Sequence, residues 1–445
     1  MSAAEDLIRH YDALQSRWKV SDRIADYARL VVPTGNSVEA FHRWFHLKEA
    51  YSHQLLARLL KDADWVPDGQ FAILDPFSGS GTTLVSALSI SEEYAVIPRV
   101  LGIERNPFLR EVGHAKAAGM QQGPTLARRV RAALPGLELL YQKAQETAWS
   151  TPSATLNNRK FFTAEHLQSL LALRIAIEQI DNGAVVSLLR VCLAASVEAA
   201  GKLRRDGRAL RHQPRWEPKH PKAVFDANVT RVLEDLDSRA ESMSSRGAIN
   251  VLGDARAAHL HAGRRKFDWI VFSPPYPNNI DYTEVYKTEA WALGLWDDPA
   301  AMRAQRLSTI RSHPSVRFPE LYTYVQCPYA DEVGALLDPL LNAIPDDRYR
   351  RGRLQIVKGY ADDMLRVFDA CRRVINANGR LAYVVGNSVH GTKEGSFVIA
   401  ADLVLARIAE LTGWKVEEIR VARKLSRRSF DSEHLRESVV ILRPA

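Results

Sequence analysis

Residues 71–83 read FAILDPFSGSGTT: a short apolar run ending in Asp75, a turn with Gly79 and Gly81, then the start of a helix-like stretch, TTLVSALSISEE. Strand, glycine turn and helix open a βαβ unit of the nucleotide-binding kind. The next apolar run, RVLGIE (99–104), ends in a second acid, Glu104. Two strands joined through a helix pair in parallel. Two look-alikes fail on residue identity. A Walker A loop needs Lys after its last glycine, where this chain has Thr82. A GxGxxG fingerprint needs a third glycine, and Leu84 stands in its place.

Outward from this unit the chain divides into three stretches. Residues 1–120 carry N-terminal helices, with apolar positions at helical spacing through FHRWFHLKEAYSHQLLARLL, followed by the glycine-turn half of the α/β pattern. Residues 121–245 are rich in Ala, Leu, Arg and Gln and read as a mainly helical insertion. The α/β pattern resumes over 246–445, with strands at AINVLGDAR (248–256), FDWIVF (267–272), RLAYVVGNS (380–388), WKVEEIRVAR and SVVILRP. Between them, helices are expected at TEVYKTEAWALGLW, VIAADLVLARIAELTG and GYADDMLRVFDACRRVINA. The last should stop at Asn378-Gly379, a C-cap signal.

Composition narrows the class. The 445 residues are 46% hydrophobic and 25% charged, which excludes disorder as the main state. Cys192, Cys327 and Cys371 form no CxxC pair, which argues against a disulfide framework, a zinc ribbon or an iron–sulfur site and fits a reducing cytosol. No run approaches about 18 consecutive apolar residues, so no membrane span is expected. The formal charge is +8, and its distribution matters more than its size. Residues 201–220 hold seven basic side chains against two acidic ones, with Lys202, Arg204, Arg205, Arg208 and Arg211 at their head. Further clusters stand at Arg348–Arg353 and Arg420–Arg428. Such clusters suit a polyphosphate partner, because each phosphate neutralised releases counterions. Solvated basic loops are the competing reading.

The glycine turn has a chemistry of its own. Glycines let the backbone approach a ligand where a Cβ would collide. Asp75 can pair with an ammonium group, and Glu104 can accept hydrogen bonds from ribose hydroxyls. A ligand joining an amino acid to a nucleoside, without phosphates, suits these groups; S-adenosylmethionine is one. Ser273-Pro274-Pro275-Tyr276 follows the FDWIVF strand, at the end where ligands of open α/β sheets bind. The prolines remove two N–H donors and leave carbonyls free. Ser273 Oγ and the Pro274 carbonyl can accept from an exocyclic amine, while Tyr276 offers a flat face to a base.

With both segments in view, the chain resembles the S-adenosylmethionine-dependent amino-methyltransferases of DNA. DPFSGSGTT is similar to their cofactor motif and SPPY to their catalytic motif, the Ser form being typical of the cytosine-N4 branch. HRWFHLKEAYS (42–52), GIERNP (102–107), GDAR (253–256), VVGNS (384–388) and RESVVIL (436–442) extend the resemblance over most of the chain outside the insertion. One departure stands out: many SPPY enzymes place the catalytic segment before the cofactor motif, and here it follows. The resemblance implies a Rossmann-like class I methyltransferase sheet, mostly parallel with an antiparallel last strand. It implies Ser273, Pro274, Pro275 and Tyr276 as catalytic residues and S-adenosylmethionine as cofactor. The cofactor would be held by Asp75, Pro76, Phe77, Gly79, Ser80, Gly81, Thr82 and Thr83, by Glu104, Arg105 and Asn106, and by Asp254, with Phe45 and Lys48 as further candidates. It also implies double-stranded DNA as partner, a cognate restriction endonuclease as candidate companion, and a cytoplasmic, nucleoid-associated location. Adenine-N6 methylation, RNA methylation and a DNA-binding regulator without chemistry stay open as alternatives.

Overall fold

The computed structural model describes residues 3–206, 209–239, 247–392, 395–426 and 432–445. In chain order its strands are β1 (Val20–Asp22), β2 (Gln70–Asp75), β3 (Ile97–Glu104), β4 (Leu203–Asp206), β5 (Ala209–His212), β6 (Ala248–Leu252), β7 (Phe267–Phe272), β8 (Ile375–Gly386), β9 (Ser388–Thr392), β10 (Gly395–Ile399), β11 (Trp414–Lys424) and β12 (Arg436–Pro444). One sheet has the order β1-β11-β12-β8-β7-β2-β3-β6, while β4–β5 and β9–β10 form separate hairpins. Strands β6, β3, β2, β7 and β8 run parallel. The last strand, β12, is antiparallel to both neighbours. This is the Rossmann-like α/β class expected from the sequence, mostly parallel with its last strand reversed. Chain order reverses direction at β2, with β3 on one side and β7 on the other, and ligands of such sheets bind at that switch point.

Both sheet faces are buried, and the strand period of two sorts residues between them. Ile73, Trp269, Val271, Val384 and Ile441 join the core on one face. Leu74, Ile270, Phe272, Val385 and Leu442 join the core on the other face. The first layer is built from the helices Thr82–Glu93, Pro107–Gln145, Ala164–Glu178, Gly183–Ala200 and Pro221–Asp237. The second holds Ala3–Gln15, Ala330–Asn342, Arg350–Arg372 and Ala401–Leu411. The helix Pro107–Gln145 crosses residue 120 and turns at Gly123, where φ is 42°. Gly183–Ala200 is apolar and long enough to cross a membrane, but 61% of it is buried in the fold; its apolarity is that of a helix packed between helices.

Several expectations are corrected. The helix through GYADDMLRVFDACRR stops at Arg372, and Asn378-Gly379 lies within β8. Strand pairing wins there: Ile375 pairs with Phe267 and Arg380 with Trp269, so the residues between bulge out of the ladder. Asn376 donates to Asp268 at 2.7 Å across the bulge. TEVYKTEAWALGLW forms two short helices, Tyr282–Val285 and Lys287–Ala292. Residues 41–52 form a 3-10 turn and coil in place of a continuous helix. Tertiary partners hold that segment: Asp235 accepts from Phe41 N at 2.9 Å and from Trp44 Nε1 at 2.8 Å. Lys116 Nζ donates to the carbonyls of His42 and Phe45, both at 3.0 Å.

Candidate active site

A cleft of about 290 Å³ opens over the carboxyl ends of β2, β3 and β7. Its floor is the glycine turn. Gly79 and Gly81 adopt left-handed φ values of 49° and 83°, and a Cβ on Gly81 would lie 2.8 Å from Gly113 Cα, so the chain can turn and approach only without side chains here. Thr82 begins the helix that follows.

Asp75 closes β2 and is almost fully buried. Its carboxylate accepts from Phe77 N at 2.9 Å, from Tyr51 OH at 3.3 Å and from Thr83 Oγ1. Burial outweighs these bonds and raises its pKa to about 7. Glu104 closes β3 and accepts from Gly79 N at 2.8 Å and Asn106 N at 2.7 Å; burial raises it too, against those N–H groups. Asn106 caps the helix Pro107–Gln145 through Phe108 N and Leu109 N. Arg105 Nε donates to Ser308 Oγ at 2.9 Å. Asp254 lies farther along the wall and is held by Arg256. Burial alone would raise Asp254, but the Arg256 guanidinium brings it below the ordinary value.

The Ser273–Tyr276 segment faces this floor from the end of β7. Ser273 Oγ lies 3.1 Å from the Val384 carbonyl and 3.3 Å from Tyr276 OH, and can donate its one proton to either. Its lone pairs remain available in both cases. Tyr276 OH donates to Glu437 Oε1 at 2.8 Å, and Arg423 Nη2 pairs with Glu437 Oε2 at 2.8 Å. Burial and the Glu437 charge hold the phenol well above its ordinary pKa. The Tyr276 ring packs on Gly386, where a Cβ would come within 2.8 Å.

The cleft thus gathers Lys48, Asp75, Pro76, Phe77, Gly79, Ser80, Thr82, Glu104, Arg105, Asn106, Asp254 and the whole Ser273–Tyr276 segment. Gly81 and Thr83 support it from behind. Phe45 does not reach it: the ring packs edge-on against Phe108, 5.1 Å away, inside the core. Glu437, Arg423 and the 308–313 strap also line the cleft, and sequence reasoning passed over them. An acid at the head of β12, just before its apolar run Val439–Leu442, was the one available signal for Glu437.

The chain is similar to Type II methyltransferases. It is 25% identical over 456 residues to M.AvaI of Nostoc sp., which covers 94% of this chain and 89% of that protein, and equally to M.AvaI of Anabaena variabilis. To M.BsoBI of Geobacillus stearothermophilus it is 23% identical over 443 residues, covering 87% and 81%. Among solved structures, the rRNA methyltransferase aviRa from Streptomyces viridochromogenes aligns with 88% of this chain and 84% of its own, at 9% identity and a TM-score of 0.26. No protein-family model matches the chain.

The basic clusters need correction. Arg205 is not a surface residue: it donates to Glu198 Oε2 at 2.6 Å and to the Val285 carbonyl at 3.2 Å, pairs with Glu289, and sits over the Tyr286 ring at 4.7 Å. Arg204 and Arg211 are exposed cross-strand neighbours on the β4–β5 hairpin, and Lys202 is half-buried at its base. Arg208 lies outside the described residues, as do Arg427 and Arg428. In the other clusters Arg420 is buried between Glu418 and Asp62, and Arg353 pairs with Asp347. Much of the clustered charge is neutralised inside the fold.

Proposed function

We propose that the protein is a site-specific DNA methyltransferase that methylates the exocyclic N4 amine of cytosine in double-stranded DNA, with S-adenosylmethionine as donor. The observation that carries the reading is that Ser273–Tyr276 and the Asp75–Ser80 turn line one cleft. The donor set fits the cofactor: a buried carboxylate for an ammonium group, a turn that only glycines can make, and Glu104 at the end of the next strand for a ribose. When bound, S-adenosylmethionine supplies an electrophilic methyl group on a sulfonium.

The chain's own residues supply position and charge stabilisation. An exocyclic amine cannot be attacked in line inside the stack, so the base is flipped into the cleft beside Tyr276. Hydrogen bonds from the amine to Ser273 Oγ and the Pro274 carbonyl favour a pyramidal nitrogen and stabilise the charge developing on it. Glu437 and Arg423 hold the Tyr276 ring where it can pack on the base. The insertion over 121–245 acts as the target-contact region through the β4–β5 hairpin, which stands beside the cleft because Lys48 donates to the Arg205 carbonyl at 2.9 Å. Residues of the hairpin reach phosphates, and a cognate endonuclease of the same specificity is the companion such an enzyme implies.

Mass spectrometry of nucleosides from DNA incubated with protein and cofactor decides the matter. N4-methylcytosine is the expected product; N6-methyladenine would reassign the base, and the absence of any methylated base would overturn the reading.

A further inference from the structure

Two adjacent residues that line the cleft each carry a buried polar atom with no hydrogen-bond partner among the described residues: Ser312 Oγ and His313 Nε2. Buried polar groups are nearly always satisfied, so an orphan pair beside a ligand cleft marks groups kept for something other than protein. Their surroundings are firmly built. Arg311, one residue earlier, donates from its backbone N–H and Nε to Asp363 at 2.9 and 3.0 Å and from Nη1 to the Leu321 carbonyl at 2.7 Å. On the far side Ser315 Oγ donates to Asp281 Oδ2 at 2.9 Å and lies 2.6 Å from His313 Nδ1. The tautomer follows from counting protons. Ser315 has one hydroxyl proton, given to Asp281, so the proton between Ser315 and His313 must sit on Nδ1. Nε2 keeps its lone pair. Asp281 also caps the short helix Tyr282–Val285 after the Ser273–Tyr276 segment and pairs with Arg306 at 2.7 Å, which ties the strap to the catalytic loop.

We propose that His313 Nε2 accepts the proton that the target base's exocyclic amine loses on methylation, while Ser312 Oγ hydrogen-bonds the ring nitrogen next to that amine. The inference rests on the amino-methyltransferase reading and deepens it. The amine nitrogen bonds the methyl carbon of a sulfonium donor, the carbon–sulfur pair stays on sulfur, and the positive charge passes to nitrogen. One of the amine's two protons then leaves its Ser273 or Pro274 acceptor and passes to Nε2, and the N–H pair returns to nitrogen. The resulting imidazolium is held through Ser315 by the Asp281 carboxylate. Cytosine and adenine both carry an acceptor nitrogen beside the amine, so Ser312 serves either base.

The groups facing the imidazole are Asp281, whose charge favours the imidazolium, Arg306, whose charge opposes it, Ser315, and the Phe318 ring at 5.5 Å. Burial is the largest influence and holds the imidazole below its ordinary pKa. It is therefore neutral and basic near pH 7, and protonation at lower pH removes it as a base.

Single-turnover methylation across pH, with cofactor saturating at every pH so that Asp75 does not set the profile, tests the proposal together with ¹⁵N NMR of the histidines in the protein without DNA. His313→Ala should lower the rate on the order of 30-fold or more and abolish the acid limb of the wild-type profile. His313→Gln, which can accept a hydrogen bond but not a proton, should recover part of the rate and stay flat with pH. Cofactor affinity should be unchanged in both. The NMR should show Nε2 unprotonated and Nδ1 protonated. An acid limb that survives in His313→Gln, or an Nε2–H tautomer, overturns the role of His313 while leaving the methyltransferase reading intact. Wild-type protein that methylates no base would overturn both.

Discussion

Asp75 shows how much of the site rests on one buried carboxyl. With its pKa raised to about 7 by burial, it is partly protonated at neutral pH until a cation joins it. A ligand ammonium favours the carboxylate, so S-adenosylmethionine should bind weakly below about pH 7 and more tightly as pH rises through it. The unliganded fold responds the other way. A carboxyl raised in the folded state contributes its stability fully below the ordinary carboxyl pKa and loses it as pH rises through about 7. Calorimetry between about pH 6 and about pH 8 should show this affinity gain in the wild type and lose it in Asp75→Asn. Ser273→Ala should lower turnover by about 10- to 100-fold while leaving cofactor affinity nearly intact; single-turnover kinetics beside calorimetry would check it. At this scale the Asp75–Thr83 and Ser273–Tyr276 segments were legible in the sequence because each is a short contiguous motif at the end of an apolar run. Glu437 was not, since it meets Tyr276 across 161 residues of chain.

Among the elements, the β4–β5 hairpin separates two kinds of arginine that look alike in sequence. Arg204 and Arg211 face outward across the strands, whereas Arg205, next to the first of them, points into the fold. Strand alternation explains the split, and a basic run has no period that would betray it. Arg204→Ala with Arg211→Ala should therefore reduce the salt slope of DNA binding by about two units and leave folding intact, as titrations at several salt concentrations would show. Arg205→Ala should cost about 3–5 kcal/mol in denaturant unfolding, because it leaves Glu289 buried without its partner. The 41–52 segment teaches a related lesson. Its helical periodicity is real, but Asp235 and Lys116 claim its backbone and indole groups from helices far along the chain. Long-range claims of this kind override local spacing, as pairing with β7 did at Asn378-Gly379.

For the molecule as a whole, the sheet was readable because its parallel strands are apolar on both faces, a pattern that needs no partner information. Its edge was not. Three residues, Val20–Asp22, add β1 beside β11 and cover that edge, and a run so short leaves no periodic trace. The N-terminal helix before it is held by Tyr11, which donates to the Val398 carbonyl at 2.8 Å. Deleting residues 1–22 should lower the melting temperature and promote self-association through the bared strand, measured by thermal unfolding and light scattering.

One carboxylate joins the two ends of the cleft. Asp363 accepts from Arg256, which holds Asp254, and from Arg311, which anchors the strap carrying His313. A helix of the second layer thus ties the wall near Asp254 to the wall near His313. Two ligands that each tighten their own wall meet in this shared anion, and whatever the first does to the second is returned in equal measure. The expected signature is reciprocal: DNA should sharpen cofactor affinity by the factor by which cofactor sharpens DNA affinity.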